Sequence, residues 1–193
     1  MYLLFFKRFF DVVLSIVLLT SLLPFLLLII LLIKIDSNGP VFHHSKRIGF
    51  KSKIFLMPKF RTMKINTPNV ASHKLNNPKK YITKFGGFLR KTSLDEIPQL
   101  ISVLIGNMSF VGPRPALFNQ YDLIKMRKKK KIDHILPGIT GLAQIKGRDK
   151  ISIKKKVDYD YKYLKTCSFK HDMSILINTF LKMFNTNNLE ISH

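Results

Sequence analysis

The sequence predicts a helix-rich α+β fold that opens on a membrane helix, and three observations lead there. An apolar run occupies Phe9 to Ile33. Helical segments with clear stop signals dominate the remainder, interrupted by one short pair of strands between Val41 and Met57. Strands and helices do not alternate as βαβ units, and neither a GxGxxG fingerprint nor a P-loop occurs, so a Rossmann or P-loop architecture would lack its phosphate cradle. At 193 residues the chain fits one compact domain plus a small appendage. The division predicted is a membrane segment over residues 1–35 and a domain over residues 36–193.

Within the apolar run the only strongly polar residue is Asp11. A straight helix of that span is about 37 Å long, enough to cross a hydrocarbon core of about 30 Å. A secretory signal fits poorly, because the run is too long and no small-residue cleavage site precedes Lys34. Pro24 stands mid-run, where it removes a backbone hydrogen bond and clashes with the carbonyl of Thr20. Thr20 and Ser21 are placed to satisfy the freed carbonyls. Both flanks are basic, with Lys7 and Arg8 before the run and Lys34, Lys46 and Arg47 after it. The positive-inside tendency holds both ends on the cytoplasmic face, which a bent re-entrant helix satisfies better than a straight span. A buried core helix is disfavoured by the near absence of a polar face.

After Ile35 the Asp36-Ser37-Asn38-Gly39-Pro40 cluster ends the helix. Val41 to His44 and Ile54 to Met57 read as two strands of a hairpin connected through Gly49 to Lys53, and residues 64–80 as a polar surface loop. Leu94 to Ile105 reads as a helix stopped by Gly106, and Leu117 to Ile132 as a basic amphipathic helix. Pro137 to Gly147 is a glycine-punctuated loop, Ile151 to Leu164 and Asp172 to Phe184 are two further helices, and the Asn-rich end is expected to fray. His43 and His44 point to opposite faces of a strand, so they do not share a metal.

Charge narrows the partners. Lys and Arg number 33 against 11 Asp and Glu, a net charge of +22, which points to a polyanion: nucleic acid, anionic lipid or a phosphorylated substrate. Between Ser37 and Leu94 there are 13 Lys or Arg and no acidic residue, and the first carboxylates to follow are the adjacent Asp95 and Glu96. The lysine runs 128–131 and 154–156 read as solvated faces attracted to anionic lipid. Cys167 is the single cysteine, a packed thiol suited to a reducing compartment.

Two frames compete at Asp95 and Glu96. Ser93 and Glu96 form a capping-box pattern, but that frame puts Pro98 beyond the first helical turn. A helix starting at Asp95 keeps Pro98 harmless and sets both carboxylates at the positive helix end near Arg90 and Lys91, favouring the ionised forms. An ionised carboxylate suits a nucleophile or a Mg²⁺ ligand. Spacing by itself leaves capping and chemistry both open. In Gly112-Pro113-Arg114-Pro115, Pro113 and Pro115 fix the backbone around an arginine whose fork suits a phosphate. In Pro137 to Arg148 the glycines permit a close backbone approach, and Arg148 supplies another phosphate-competent head. Both segments read equally well as plain turns.

Taken together, Lys7-Arg8, Asp11, Lys59-Phe60-Arg61-Thr62-Met63, Ser93-Leu94-Asp95-Glu96-Ile97-Pro98-Gln99, Gly112-Pro113-Arg114-Pro115, Pro137-Gly138-Ile139-Thr140-Gly141-Leu142-Ala143-Gln144 and Tyr159-Asp160 resemble the bacterial sugar transferase family, the small monotopic phosphoglycosyl transferases. The resemblance spans nearly the whole chain. It implies a re-entrant helix bent at Pro24, interfacial helices around it, and a place on the cytoplasmic face of the bacterial inner membrane. It also implies a Mg²⁺-dependent transfer of a sugar-1-phosphate from a UDP-sugar to polyprenol phosphate, with release of UMP. Asp95 corresponds to the family's nucleophile, which carries a covalent phosphosugar, and to a metal ligand; Glu96 is its catalytic neighbour. Arg114 and Arg148, with Lys59, Arg61, Arg90 and Gln144, are the phosphate- and substrate-binding candidates. The sequence departs from the family's usual pattern at Leu23, Ser45 and Asn107. Anionic lipid is a further expected partner and self-association is left open. A non-catalytic, membrane-anchored basic protein binding lipid or nucleic acid is the rival reading. It leaves the acidic pair unexplained, and no nucleic-acid motif is visible, so no nucleic acid is expected.

Overall fold

The computed structural model describes residues 5–68, 77–147 and 150–184. Arg148, the middle of the 64–80 loop and the Asn-rich end lie outside the described residues. Helices dominate, accompanied by two small two-stranded sheets.

Two helices, α1 (Lys7–Ser21) and α2 (Leu23–Asp36), meet at 63°. The break falls at Leu22, two residues before Pro24, so the proline occupies the first turn of α2, where a missing N–H costs nothing. The Thr20 hydroxyl donates to the carbonyls of Ile16 (2.9 Å) and Val17 (3.1 Å), and Ser21 to that of Leu18 (3.2 Å). They load the last turn of α1, as back-bonding hydroxyls do where helices bend, and leave the Thr20 carbonyl itself alone. Among the described residues no single helix is long and apolar enough to cross a membrane; the bent pair passes that test jointly by length and composition.

The amphipathic pattern of α1 is inverted. Lys7, Asp11 and Ser15, spaced by four, are buried, while Phe9, Val13, Ile16 and Val17 are exposed. Lys7 pairs with Asp172 at 2.5 Å and donates to the Tyr163 hydroxyl at 3.2 Å, and Asp11 accepts from the N–H of Phe110 at 3.1 Å. Arg8 donates to the carbonyls of Val103 (2.5 Å) and Leu104 (2.7 Å). The basic pair read as a membrane flank thus also ties α1 to the rest of the chain.

Strands β1 (Phe42–Ile48) and β2 (Ile54–Phe60) form an antiparallel hairpin in register from Phe42 opposite Phe60 to Ile48 opposite Ile54. Each is longer than predicted, because Pro58 is tolerated in a sheet that consists only of edges. Helix α3 (Lys84–Thr92) was not predicted, since Gly86 and Gly87 lie inside it. Its cap is Thr83, whose hydroxyl accepts from the Gly86 N–H at 3.0 Å. Gly86 is needed there, as a Cβ would stand 2.3 Å from the Thr62 carbonyl oxygen.

The predicted Leu94–Ile105 helix is divided into a 3₁₀ turn at Leu94–Glu96 and α4 (Gln99–Leu104). Next come β3 (Ser109–Val111), α5 (Tyr121–Lys129), a 3₁₀ turn at Ile132–His134, β4 (Gly138–Thr140), α6 (Leu142–Ile145), α7 (Ile153–Thr166) and α8 (Phe169–Phe184). The glycine loop at 137–147 therefore contains a strand, paired in parallel with β3, and a one-turn helix. One core gathers Met57, Val103, Met108, Val111, Tyr163 and Ile175; a second, of Ile29, Ile33, Phe60 and Leu89, joins α2 to α3 and β2.

Candidate active site

The acidic pair sits where three pieces of chain converge. Helix α3 ends on Ser93, a non-glycine residue at φ 59°, which turns the chain sharply into the Leu94–Glu96 turn. Ser93 makes no side-chain cap bond, so the capping box is not formed, and Pro98 serves as the residue before α4. Neither frame of the sequence reading holds as drawn, because the carboxylates belong to a connection between two helices. Asp95 is buried and Glu96 nearly so, with its side chain 14% exposed.

Strand β2 brings Lys59 to this turn, and the Pro113–Pro115 segment brings Arg114. Lys59 Nζ lies 2.7 Å from Glu96 Oε1 and 3.6 Å from Asp95 Oδ2. Arg114 grips Glu96 with both ends of its fork, Nη2 at 2.6 Å from Oε1 and Nη1 at 3.4 Å from Oε2. Arg90 approaches Asp95 from the end of α3, and its Nε donates to Thr62 Oγ1 at 2.8 Å.

The two carboxyls titrate in opposite directions. Burial pushes Asp95 above the ordinary carboxylate range; Glu96 adds to the rise, while Lys59, Arg90 and Arg114 oppose it. For Glu96, burial works against ionisation, but Arg114 and Lys59 hold it well below that range. The sequence expectation that both favour the ionised form is thus corrected for Asp95, because desolvation outweighs the helix-end field. Glu96 is the anchored anion of the site, and Asp95 has only the longer contact to Lys59 among the ion pairs of the described residues.

Arg114 is presented by a rigid loop whose main-chain carbonyls are taken in turn. Pro113 O accepts from the Gly138 N–H at 3.0 Å, Arg114 O from Arg127 Nη1 at 2.8 Å, Pro115 O from Arg47 Nη1 at 3.2 Å, and Ala116 O from the Ile48 N–H at 2.9 Å. The glycines of the 137–147 segment serve this packing. A Cβ on Gly138 would stand 2.1 Å from Gly112 N, and one on Gly141 would stand 2.1 Å from Gly112 O.

Other predicted site residues sit elsewhere. Arg61 is buried and donates to the carbonyls of Asn38 (2.7 Å) and Ser37 (2.6 Å), closing the turn after α2; a Cβ on Gly39 would collide with its Nη1. Gln144 lies on α6 beside Gly141, with Nε2 3.5 Å from the Ile139 carbonyl. No group of three or more His, Cys, Asp or Glu able to hold a metal occurs among the described residues. Glu96 is committed to cations, so Asp95 is the carboxylate that suits Mg²⁺, an ion that commonly takes one or two carboxylates with substrate phosphates and water.

Two contributors were missed. Arg127 falls inside the predicted basic amphipathic helix without being singled out, although it is the one arginine in Arg127-Lys128-Lys129-Lys130-Lys131 and falls four residues after the buried Leu123. Arg47 was read only as a flanking charge.

A family model described as bacterial sugar transferase matches residues 2–186. The chain is 39% identical over 187 residues to the UDP-glucose:undecaprenyl-phosphate glucose-1-phosphate transferase of Escherichia coli K12, covering 92% of this chain and 40% of that protein. It is 36% identical to the UDP-galactose-lipid carrier transferase of Erwinia amylovora, covering 91% of this chain and 39% of that one. To a sugar transferase of Bacillus subtilis described as uncharacterized it is 37% identical, and there the match takes in 92% of this chain and 86% of the relative. The chain thus spans about two fifths of the first two relatives and most of the third. A match over nearly every residue, together with an acidic pair held by Lys59 and Arg114, makes this chain a member of the bacterial sugar transferase family.

Proposed function

We propose that the protein transfers a sugar-1-phosphate from a UDP-sugar to polyprenol phosphate at the cytoplasmic face of a bacterial inner membrane, as a first membrane step of envelope glycan assembly. The observation that carries this reading is the division of labour in the acidic pair. Glu96 fixes Lys59 and Arg114, while Asp95, one residue away, is left beside three cations without a matching commitment of its own.

In the first step an Asp95 oxygen attacks the phosphorus that bears the sugar. The bond from that phosphorus to the bridging oxygen breaks, UMP leaves with the electron pair, and the phosphosugar remains as an acyl phosphate on Asp95. In the second step an oxygen of the lipid phosphate attacks the same phosphorus, freeing the Asp95 carboxylate and giving polyprenyl diphosphate sugar. Lys59, Arg90 and Arg114 surround the phosphorus and oppose the charge building on its oxygens. Ionised Glu96 keeps Lys59 and Arg114 aimed there and has no proton to give. Mg²⁺ held by Asp95 and substrate phosphates would add positive charge to the same oxygens.

The bent α1–α2 pair is read as a re-entrant membrane element. Its exposed Phe9, Ile16, Leu27, Leu31 and Ile35 suit lipid, as do Phe169, Ile177, Phe180 and Leu181 on α8 lying at the interface. Anionic headgroups would attract the surplus lysines. The purified full chain, incubated in detergent or nanodiscs with Mg²⁺, undecaprenyl phosphate and a panel of UDP-sugars, is expected to release UMP with at least one of them and to form a lipid-linked product. Absence of UMP across the panel would defeat the reading.

A further inference from the structure

The Pro113–Pro115 loop is clamped from behind by a buried ion pair that takes no part in the chemistry above. Arg127 on α5 directs Nη1 at the Arg114 carbonyl, at 2.8 Å. Its other two nitrogens, Nε and Nη2, both donate to Asp160 Oδ2 on α7, at 2.9 and 2.6 Å. Asp160 is almost fully buried, its side chain 2% exposed and that of Arg127 11% exposed. A buried arginine and aspartate pair is a poor source of stability, since an apolar pair of similar volume does as well or better. What such a pair does supply is geometry, because a guanidinium with three nitrogens engaged has one orientation.

We propose that Arg127 and Asp160 are positioning residues for Arg114. The chain of contacts runs from Asp160 to Arg127, from Arg127 to the Arg114 carbonyl, and from the Arg114 fork to Glu96, which shares Lys59 with Asp95. The prolines fix φ at residues 113 and 115 and Pro115 confines ψ of Arg114 to the extended region; within that region Arg127 sets where the Arg114 carbonyl points. Releasing it lets the peptide after Arg114 tilt within that range and draws the guanidinium off the acidic turn. Displacement of a catalytic group by about 1 Å can cost on the order of 100-fold in rate. Arg47, holding the next carbonyl at 3.2 Å, limits the movement, so a smaller loss of about tenfold is expected here.

The inference rests on the phosphate-binding reading of Arg114, and the test separates the two. Arg127→Ala alone would strand a buried carboxylate, so the pair is removed together as Arg127→Met with Asp160→Leu, which keeps volume and leaves no buried charge. UMP release from the UDP-sugar panel is measured for wild type, Arg114→Ala, the paired variant and the triple combination, with melting temperatures recorded for each. The paired variant is expected to fold, to lose about tenfold in turnover, and to add less than twofold to the loss already caused by Arg114→Ala, because the clamp acts only through that arginine. Full multiplication of the two losses, or normal turnover by the folded paired variant, would overturn the positioning role while leaving Arg114 in place. Normal turnover by Arg114→Ala would remove the phosphate reading and this inference with it. Should the paired variant fail to fold, Arg127→Lys is read in the same cycle: it keeps a charge for Asp160 but cannot also reach the carbonyl, and the same two outcomes decide.

Discussion

Arg114→Lys is the substitution in which geometry and charge part company most cleanly. The Arg114 fork meets both oxygens of Glu96, at 2.6 and 3.4 Å, while Lys59 shares the nearer oxygen at 2.7 Å. An ammonium can keep one of those contacts but not both. Loss of a charge-assisted hydrogen bond costs about 1.5–3 kcal/mol in a buried setting. The Arg114 side chain is 28% exposed, so solvent screening brings the cost to folding below that range, to about 1 kcal/mol. The effect on transfer is larger, because a single ammonium cannot match the fork to two oxygens of a transferring phosphoryl group; loss of one fixed donor at a developing oxyanion costs on the order of 100-fold. The assay is the initial rate of UMP release at saturating UDP-sugar, with a thermal melt of the same preparation. A folded Arg114→Lys protein within twofold of wild type would show that the arginine merely holds Glu96 in place.

Two further outcomes follow from the same site and its support. Burial raises the pKa of Asp95 in the metal-free protein, so its titration, followed by carboxyl NMR without Mg²⁺, is expected above the ordinary carboxylate value; Lys59→Met, which removes the largest opposing charge, should move it higher still, and a titration showing no upward shift would contradict this. The stability contributions run in opposite directions: that of Glu96 is present above its unfolded pKa and disappears as pH falls through its depressed folded value, while that of Asp95 is present at low pH and declines as pH rises through its raised value. For topology, single cysteines at Phe5 and Ser37 in a Cys167→Ser background should both react only from the cytoplasmic side of oriented vesicles, and labelling of one from each side would mean a straight span.

The residues of the proposed site were legible as types in sequence before their arrangement was. The acid-free basic stretch ending at Asp95 and Glu96 singled out the pair, and the two prolines singled out Arg114. What sequence could not supply was the partnering across distance. Lys59, Arg61 and Arg90 look alike as isolated basic residues; the hairpin register sends Lys59 to Glu96, while Arg61, two residues on, turns to the exit of α2. Helix α3 was hidden by Gly86 and Gly87; a close approach to Thr62 that no local pattern records explains Gly86, while a Cβ on Gly87 would meet only Ile82 at 3.8 Å. The inverted face of α1 was visible as a four-residue spacing of Lys7, Asp11 and Ser15, but the basic end had a sufficient explanation in the positive-inside tendency. Glycines at 138 and 141 read as permitting close approach to a ligand or as turns; with Gly112 they let two strands and a proline loop pack within reach of one another.

The measurement that bears most directly on the central claim is a search for a covalent phosphosugar on Asp95. Wild type is incubated with Mg²⁺ and whichever UDP-sugar supports turnover, without lipid acceptor, then digested with trypsin, and the peptide beginning at Thr92 is analysed by mass spectrometry. An adduct of one sugar phosphate is expected on Asp95, to be discharged when undecaprenyl phosphate is added. A folded Asp95→Asn protein is expected to show neither adduct nor transfer, since an amide cannot form the acyl phosphate. Substantial turnover by that variant, or an adduct that maps to another residue, would contradict the account.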